Sequence, residues 1–252
     1  MTEALLQVQG LRKAFGALVA SGGIDLDVRT GETHALIGPN GAGKTTLIGQ
    51  LTGELTPDAG NILFDGRDIT RLPTAARAKL GMARSFQITS VFETLTAHDN
   101  VALAVQATEP HSFRFWNRAD DIARLRNPAR QWLDTVGLGA HPKAIAGVMS
   151  HGQHRQLELA MALATAPKLL LLDEPMAGLG TEESQQMSKL LAKFKSRHTI
   201  LLIEHDMDIV FSLADRISVL VRGNIIATGT PDEIRNDRAV RTAYLGDEDE
   251  EI

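Results

Sequence analysis

The feature that most constrains this chain is the segment Gly38-Pro39-Asn40-Gly41-Ala42-Gly43-Lys44-Thr45, which fits the pattern G-x-x-x-x-G-K-[ST]. It follows the apolar run Thr33–Ile37, typical of a buried strand, and precedes Thr46-Leu47-Ile48, which opens a helix. Glycines let a backbone come close to a ligand, and the N–H groups at a helix N-terminus attract anions. The order of strand, glycine-rich loop and helix therefore predicts a phosphate-binding site; the alternative is an ordinary glycine-rich turn.

Two side chains of this loop have expected roles toward a nucleotide with Mg²⁺. Lys44 would reach the β- and γ-phosphates, and Thr45 would place its hydroxyl on Mg²⁺. The predicted nucleotide-binding residues of the loop are Gly38, Pro39, Asn40, Gly41, Ala42, Gly43, Lys44, Thr45 and Thr46.

Composition describes an ordinary globular chain. Its 252 residues are 43% hydrophobic and 23% charged, which allows one large domain, with or without an inserted lobe. No apolar run approaches the ~20 residues of a membrane span, the N-terminus lacks a signal-peptide pattern, and there is no cysteine. The net charge of −5 argues against nucleic acid as the main partner. We expect a cytosolic chain that does not cross a bilayer.

The periodicity of apolar residues divides the chain into three parts. Residues 5–31 and 60–66 alternate as strands with turns, which predicts an antiparallel β layer. From about 88 to 149 the pattern is mainly helical, and residues 109–127 look irregular, either a surface loop or a partner contact. After residue 150 strands and helices alternate, which predicts a largely parallel sheet.

Two carboxylates follow the apolar run Leu169-Leu170-Leu171-Leu172. On their own, Asp173 and Glu174 could be solvated acids at the end of a core strand. Beside a phosphate loop, a carboxylate at the C-terminal end of a parallel strand lies where ligands bind. We therefore expect Asp173 to hold Mg²⁺, directly or through water, and Glu174 to orient the attacking water or accept its proton.

Three further sites are weak when taken singly. Ser150-His151-Gly152-Gln153 precedes an amphipathic helix and could be a simple capping box. Gln87 and His205 each follow a predicted strand, as ordinary polar residues often do. Their order along the chain is what makes them informative.

In that order the chain resembles the nucleotide-binding subunits of ABC transporters. Residues 38–45 match the Walker A motif, Gln87 the Q-loop, 150–153 the signature, 169–174 Walker B and His205 the switch histidine. The resemblance implies that Phe15 stacks on adenine, that Gln87 serves both the metal and catalysis, and that His205 is catalytic.

The resemblance also implies a fold. It is an α/β P-loop NTPase core of the RecA type, with a mainly parallel sheet, an N-terminal antiparallel β layer and an inserted α-helical subdomain. On this sequence the core would comprise 1–87 and 150–252, and the helical subdomain 88–149.

Partners follow from the same resemblance. Two ATP-binding subunits, identical or different, would form a head-to-tail dimer in which Ser150, Gly152 and Gln153 contact the partner's ATP. Two integral-membrane permease subunits and, indirectly, a solute-binding protein complete the transporter. The chain would then be peripheral at the cytoplasmic face of the inner membrane, with no nucleic-acid partner, and Ile88–Phe92 would offer apolar residues to a permease helix.

The sequence departs from the family pattern at three positions. His151 replaces a usual glycine of the signature, Gly180 stands where an aspartate is common, and Phe15 replaces the more frequent tyrosine. Gly152 keeps the close-approach position and Phe15 keeps an aromatic face, so we expect ATP contact and stacking to be retained. Gly180 weakens any inference about communication between subunits.

Subfamily details resemble the importers of branched-chain amino acids. The segments that carry this are Ala83-Arg84-Ser85-Phe86-Gln87, Met149-Ser150-His151-Gly152-Gln153, Ala177-Gly178-Leu179, Ile203-Glu204-His205-Asp206-Met207 and Ala243-Tyr244-Leu245-Gly246. Subunits of urea or amide importers are similar and also accept histidine in the signature. A non-transport ABC ATPase is a less favoured alternative. Of that class, a DNA-repair or chromosome ATPase would be expected to carry coiled-coil heptads or zinc cysteines and a basic face, and this chain has none of these. A GTPase would need the tetrapeptide N-K-x-D, which does not occur. A regulatory cassette without turnover is a further alternative.

Overall fold

The structure, a computed structural model, describes residues 4–85, 91–108, 120–195 and 197–245, with backbone only for 120–126 and 244–245. These residues separate into two compact units. The first combines the described parts of Met1–Leu80 and Ala192–Ile252, and the second comprises the described parts of Gly81–Leu191.

The strands of the described residues are numbered in chain order: β1 (Ala4–Phe15), β2 (Leu18–Arg29), β3 (Thr33–Ile37), β4 (Ala59–Phe64), β5 (Arg67–Asp68), β6 (Met82–Ser85), β7 (Leu169–Asp173), β8 (Thr199–Ile203), β9 (Arg216–Val221) and β10 (Asn224–Gly229). The α-helices are α1 (Lys44–Thr52), α2 (Thr74–Lys79), α3 (Ala97–Ala107), α4 (Asp120–Val136), α5 (His151–Ala164), α6 (Thr181–Lys195), α7 (Met207–Leu213), α8 (Pro231–Asn236) and α9 (Arg238–Leu245).

An antiparallel sheet in the order β2-β1-β4-β5 forms one layer of the first unit. Val8 of β1 pairs with Leu26 on one side and with Ile62 on the other. Strands β4 and β5 are joined by Asp65-Gly66, both with positive φ, as a tight hairpin turn requires. The predicted N-terminal β layer is confirmed.

The second layer of this unit is built around β3, which pairs in parallel with β8 and β9. All five residues of β3 and all five of β8 are buried, as expected for strands covered on both faces of a sheet. A tight turn at Arg222-Gly223 returns β10 antiparallel to β9. The core on one side consists of Ala35, Ile37, Val210, Ala214, Ile217, Val219, Ile234 and Val240.

The second unit contains the parallel pair β6 and β7 and a group of helices in which α3, α4 and α5 pack on one another. Thr96 caps α3 by accepting a hydrogen bond from the Asp99 N–H. Helix α4 begins at Asp120, so the expectation that 109–127 is irregular is wrong for 120–127. This helix packs against two neighbours, and tertiary packing overrides weak local preference. Residues 109–119 lie outside the described part of the chain.

Within the described residues, no helix combines the length and the apolar character that crossing a membrane requires.

Candidate functional site

The loop between β3 and α1 has the backbone conformation that the sequence pattern predicts. Gly43 is the N-cap of α1 with a φ of 106°, and Gly41 has a φ of 79°. A Cβ atom at Gly43 would overlap the carbonyl oxygen of Ala20, and one at Gly38 would overlap that of Leu220. Only glycine fits these two positions. No side chain caps the first turn of α1 from Gly43, so its N–H groups are available to an anion.

Lys44 lies folded over this loop. Its Nζ donates to the carbonyl oxygens of Gly38 at 2.5 Å and of Pro39 at 3.1 Å, which keeps the ammonium group beside the loop backbone. Thr45, the next residue of α1, is exposed. A cation and a free hydroxyl therefore accompany the N–H groups, and together they suit a phosphate with a bound metal.

His205 lies at the same edge of the sheet as the phosphate loop. Leu36 of β3 pairs with Ile203 of the parallel strand β8, so Gly38 and His205, each two residues further on, emerge side by side. The His205 side chain is 65% exposed, and its Nδ1 lies 3.7 Å from Oε2 of the buried Glu204. His205 is thus accessible to a ligand at this edge.

Phe15 ends β1 with 49% of its surface exposed. The Nζ of Lys13 lies 5.6 Å from the centroid of its ring and also forms an ion pair of 2.8 Å with Asp58. An exposed ring beside an anchored cation offers a face on which an aromatic base can stack.

The second unit holds both acidic residues of the predicted site. Asp173 ends the fully buried strand β7, and its Oδ2 accepts a hydrogen bond from Nη2 of Arg84 at 2.9 Å. Glu174 has a φ of 48°, a conformation that non-glycine residues rarely adopt, within a turn closed by the Ala177 N–H on the Glu174 carbonyl at 3.0 Å. Such strained positions cluster at functional sites.

Ser150 and Gln153 form the capping box that was the alternative to a signature. The Gln153 N–H donates to Oγ of Ser150 at 3.2 Å, and the Ser150 N–H donates to Oε1 of Gln153 at 2.9 Å. The box opens α5, so both side chains are fixed at a helix N-terminus. Gly152 is buried, and the space of its missing Cβ is taken by the carboxylate of Glu183.

The departure at His151 has a local partner. Its Nε2 lies 3.2 Å from the carbonyl oxygen of Ala177. Its ring occupies the space that a Cβ atom at residue 178 would need, which is open because Gly178 has no side chain. His151 is therefore accommodated here because residue 178 is a glycine.

The two units divide the predicted residues between them. The first holds Phe15, residues 38–46 and His205, and the second holds Ser150, Gly152, Gln153, Asp173 and Glu174. Gln87 lies outside the described residues. The sequence analysis did not predict the contact of Arg84 with Asp173. The available signal was a charged residue, Arg84, within the short strand β6, which pairs with the strand β7 that ends at Asp173.

Comparison with known protein families gives two matches along the chain. Residues 22–177 match the model of the ABC transporter domain, and residues 224–250 match that of the branched-chain amino acid ATP-binding cassette transporter.

Similar proteins extend over nearly the whole chain. The high-affinity branched-chain amino acid transport ATP-binding proteins LivG of Salmonella typhimurium and BraF of Pseudomonas aeruginosa are each 39% identical, with 98% of this chain and 100% of theirs covered. The lipopolysaccharide export system ATP-binding protein LptB of Acidithiobacillus ferridurans is 36% identical over 97% of this chain and 98% of its own.

Solved structures of ABC transporter cassettes have the same fold as this chain. The ADP conformation of MJ1267, an ATP-binding cassette of an ABC transporter, has a TM-score of 0.84 at 30% identity and covers 97% of this chain and 100% of its own. The α/β fold with a P-loop NTPase core is therefore confirmed. The chain belongs to the family of ATP-binding, ATP-hydrolysing subunits of ABC transporters.

Proposed function

We propose that this chain drives an importer of branched-chain amino acids. Identity over the whole chain does not select the cargo, because a relative named for lipopolysaccharide export is almost as similar as those named for amino-acid transport. The observation that carries the proposal is the match of residues 224–250 to the branched-chain amino acid model. The described part of this segment comprises β10, α8 and α9.

The predicted metal ligands Thr45, Asp173 and Gln87 are suited to Mg²⁺ bound together with ATP. Mg²⁺ prefers oxygen ligands, commonly one or two carboxylates completed by phosphates and water. The exposed hydroxyl of Thr45 and the carboxylate of Asp173 are such oxygens, and Gln87 would contribute its amide oxygen. When bound, the ion would neutralise charge on the phosphates. Lys44 would exchange its carbonyl contacts for phosphate oxygens.

Hydrolysis is assigned to three residues. Glu174 would orient the attacking water and accept its proton, and the positive φ of its backbone supports a functional constraint there. His205, exposed beside the phosphate loop, would hydrogen-bond the γ-phosphate side of the site. Gln87 would position water and metal.

A head-to-tail dimer would complete the site. Ser150, Gly152 and Gln153, at the N-terminus of α5, would contact the γ-phosphate of ATP bound to the partner subunit. Phe15 would stack on the adenine of the chain's own ATP.

The chain would act at the cytoplasmic face of the inner membrane, bound to two permease subunits that receive solute from a binding protein. We place the permease contact on the helical subdomain 88–149, beginning at Ile88–Phe92. Of that segment, Phe92 is described and is 56% exposed, which supports an apolar contact.

A urea or amide importer is the second candidate. The observation that favours it is the histidine of the signature, His151, which is seated against Ala177 and Gly178. This feature is local, whereas the match over 224–250 covers a longer segment, so we rank the amino-acid importer first.

Uptake in whole cells separates the two candidates. Deletion of the gene should abolish ATP-dependent uptake of labelled leucine, isoleucine and valine at low external concentration and leave urea uptake unchanged. Complementation with the wild-type gene should restore leucine uptake, and complementation with Lys44→Ala should not. Retained leucine uptake with urea or amide uptake lost would select the second candidate. Loss of neither would place the cargo outside both groups.

A further inference from the structure

Strands β6 and β7 bring an arginine to the proposed metal ligand. In their parallel register Arg84 pairs with Leu171, which lies two residues before Asp173 on the same face of β7. The Arg84 side chain extends along that face and donates from Nη2 to Oδ2 of Asp173 at 2.9 Å.

Both side chains of this pair are largely withdrawn from water. The Arg84 side chain is 11% exposed and that of Asp173 is 6% exposed. Because little water reaches this pair, the orientation of the carboxylate depends on the protein groups that contact it. Arg84 is such a group, and it contacts Asp173 before any metal binds.

The geometry of the pair leaves room for a second ligand. One nitrogen of Arg84 contacts one oxygen of Asp173, Oδ2. The other oxygen, Oδ1, can then face Mg²⁺ or a water bound to it. Carboxylates that bind metals are commonly fixed by hydrogen bonds from neighbouring residues, and those neighbours set the orientation of the ligand.

We propose that Arg84 is a positioning residue of the metal site, which aims the Asp173 carboxylate so that Mg²⁺ binds without reorganising it. The inference rests on the proposed role of Asp173 as a ligand of Mg²⁺. According to this proposal, the contact between Arg84 and Asp173 is kept when the metal binds. The opposite case is competition, in which Arg84 occupies the carboxylate and blocks the metal.

Metal binding can be measured directly with Mn²⁺ as the probe. The full chain is titrated with Mn²⁺ in the presence of a non-hydrolysable ATP analogue, and free Mn²⁺ is read by electron paramagnetic resonance. Arg84→Met should weaken Mn²⁺ binding by about 10- to 100-fold, the range seen when such a supporting residue is removed. Affinity for the analogue in EDTA should stay at the wild-type value, because the proposed role of Arg84 is toward the metal ligand and not toward the nucleotide.

Arg155 offers a matched control in the same unit. Its Nη1 lies 3.0 Å from Oε2 of Glu158, and the two side chains are 8% and 5% exposed. Arg155→Met also breaks a buried ion pair, yet should leave Mn²⁺ affinity unchanged. Equal losses in both variants would attribute the effect to general destabilisation and overturn the proposal.

The remaining outcomes separate the inference from the function on which it rests. Asp173→Asn should weaken Mn²⁺ binding; if it does not, the metal assignment fails and the role of Arg84 with it. If Asp173→Asn weakens binding and Arg84→Met leaves it unchanged, the positioning role alone is overturned. Tighter binding by Arg84→Met would mean competition, which also overturns it. If Arg84→Met does not fold, Arg84→Lys decides: it keeps the charge without the planar donor group, so binding should be weaker than wild type, and wild-type binding would overturn the proposal.

Discussion

At the scale of single residues, Lys44 carries the largest expected effect on nucleotide binding. It is the cation of the phosphate loop, and its Nζ donates to the carbonyl oxygens of Gly38 and Pro39, contacts that phosphate oxygens can replace. ATP with Mg²⁺ at a hundred times its dissociation constant should stabilise the chain by about 2.7 kcal/mol. Lys44→Ala should lose most of that stabilisation.

Thermal melts with and without nucleotide measure this effect. Lys79→Ala, at an exposed lysine of α2, is the control and should keep the full shift in Tm. An equal shift in wild type and Lys44→Ala would remove the phosphate-loop assignment.

Glu174 is the residue on which turnover should depend most. Because it is proposed to act on water and not on binding, Glu174→Gln should keep nucleotide affinity and slow ATP hydrolysis by at least ~100-fold, the lower end of general-base contributions. Steady-state phosphate release is the measurement, with the exposed Glu182→Gln as the control. Wild-type turnover in Glu174→Gln would assign the base to another residue, and His205 would be tested first.

At the scale of elements, the phosphate-loop helix is anchored at its far end by a buried arginine. Arg77, 2% exposed, donates from Nη1 to the carbonyl oxygens of Gln50 and Leu51 at 2.6 and 2.7 Å, in the last turn of α1. Nε and Nη2 bond two more carbonyls, those of Leu72 and Thr70. Burial lowers the pKa of Arg77, but the cation remains charged and complements the negative end of the helix dipole.

Loss of these donors should destabilise the first unit. Arg77→Met leaves four carbonyl groups without this partner, and we expect a loss of at least about 3 kcal/mol in the free energy of unfolding. Urea denaturation at neutral pH is the measurement. Arg71→Met, at an exposed arginine in the same segment, should stay within about 0.5 kcal/mol of wild type. A wild-type urea midpoint for Arg77→Met would contradict the anchoring role.

The elements also show what a sequence can and cannot predict. The strand, loop and helix around Gly38 to Thr45 were predictable because glycines and apolar runs act locally. The contact between Arg84 and Asp173 was not, because it depends on which strands are neighbours and in what register. The contact of His151 with Ala177 and Gly178 was not predictable either, because it joins segments that are distant in sequence. The sequence did not predict that α4 begins at Asp120, because this helix is stabilised by packing against α3 and α5.

At the scale of the whole molecule, the proposed dimer separates the two halves of each ATP site onto different subunits. Ser150 caps α5 through its side chain, and aspartate is an equally good N-cap. Ser150→Asp should therefore preserve the helix while placing a negative charge against the partner's γ-phosphate, which should suppress ATP hydrolysis. Thr230→Asp makes the same change at the N-cap of α8 and should leave hydrolysis unchanged.

Mixing two inactive variants tests whether the site is shared. In a dimer of Ser150→Asp with Lys44→Ala, one of the two sites combines an intact phosphate loop from the first subunit with an intact Ser150 from the second. Lys44→Ala and Ser150→Asp alone should each hydrolyse ATP slowly, and an equimolar mixture should be faster than either because hybrid dimers carry one complete site. Since a site built within one subunit would be damaged in every chain of the mixture, a mixture no faster than its components would contradict the shared site.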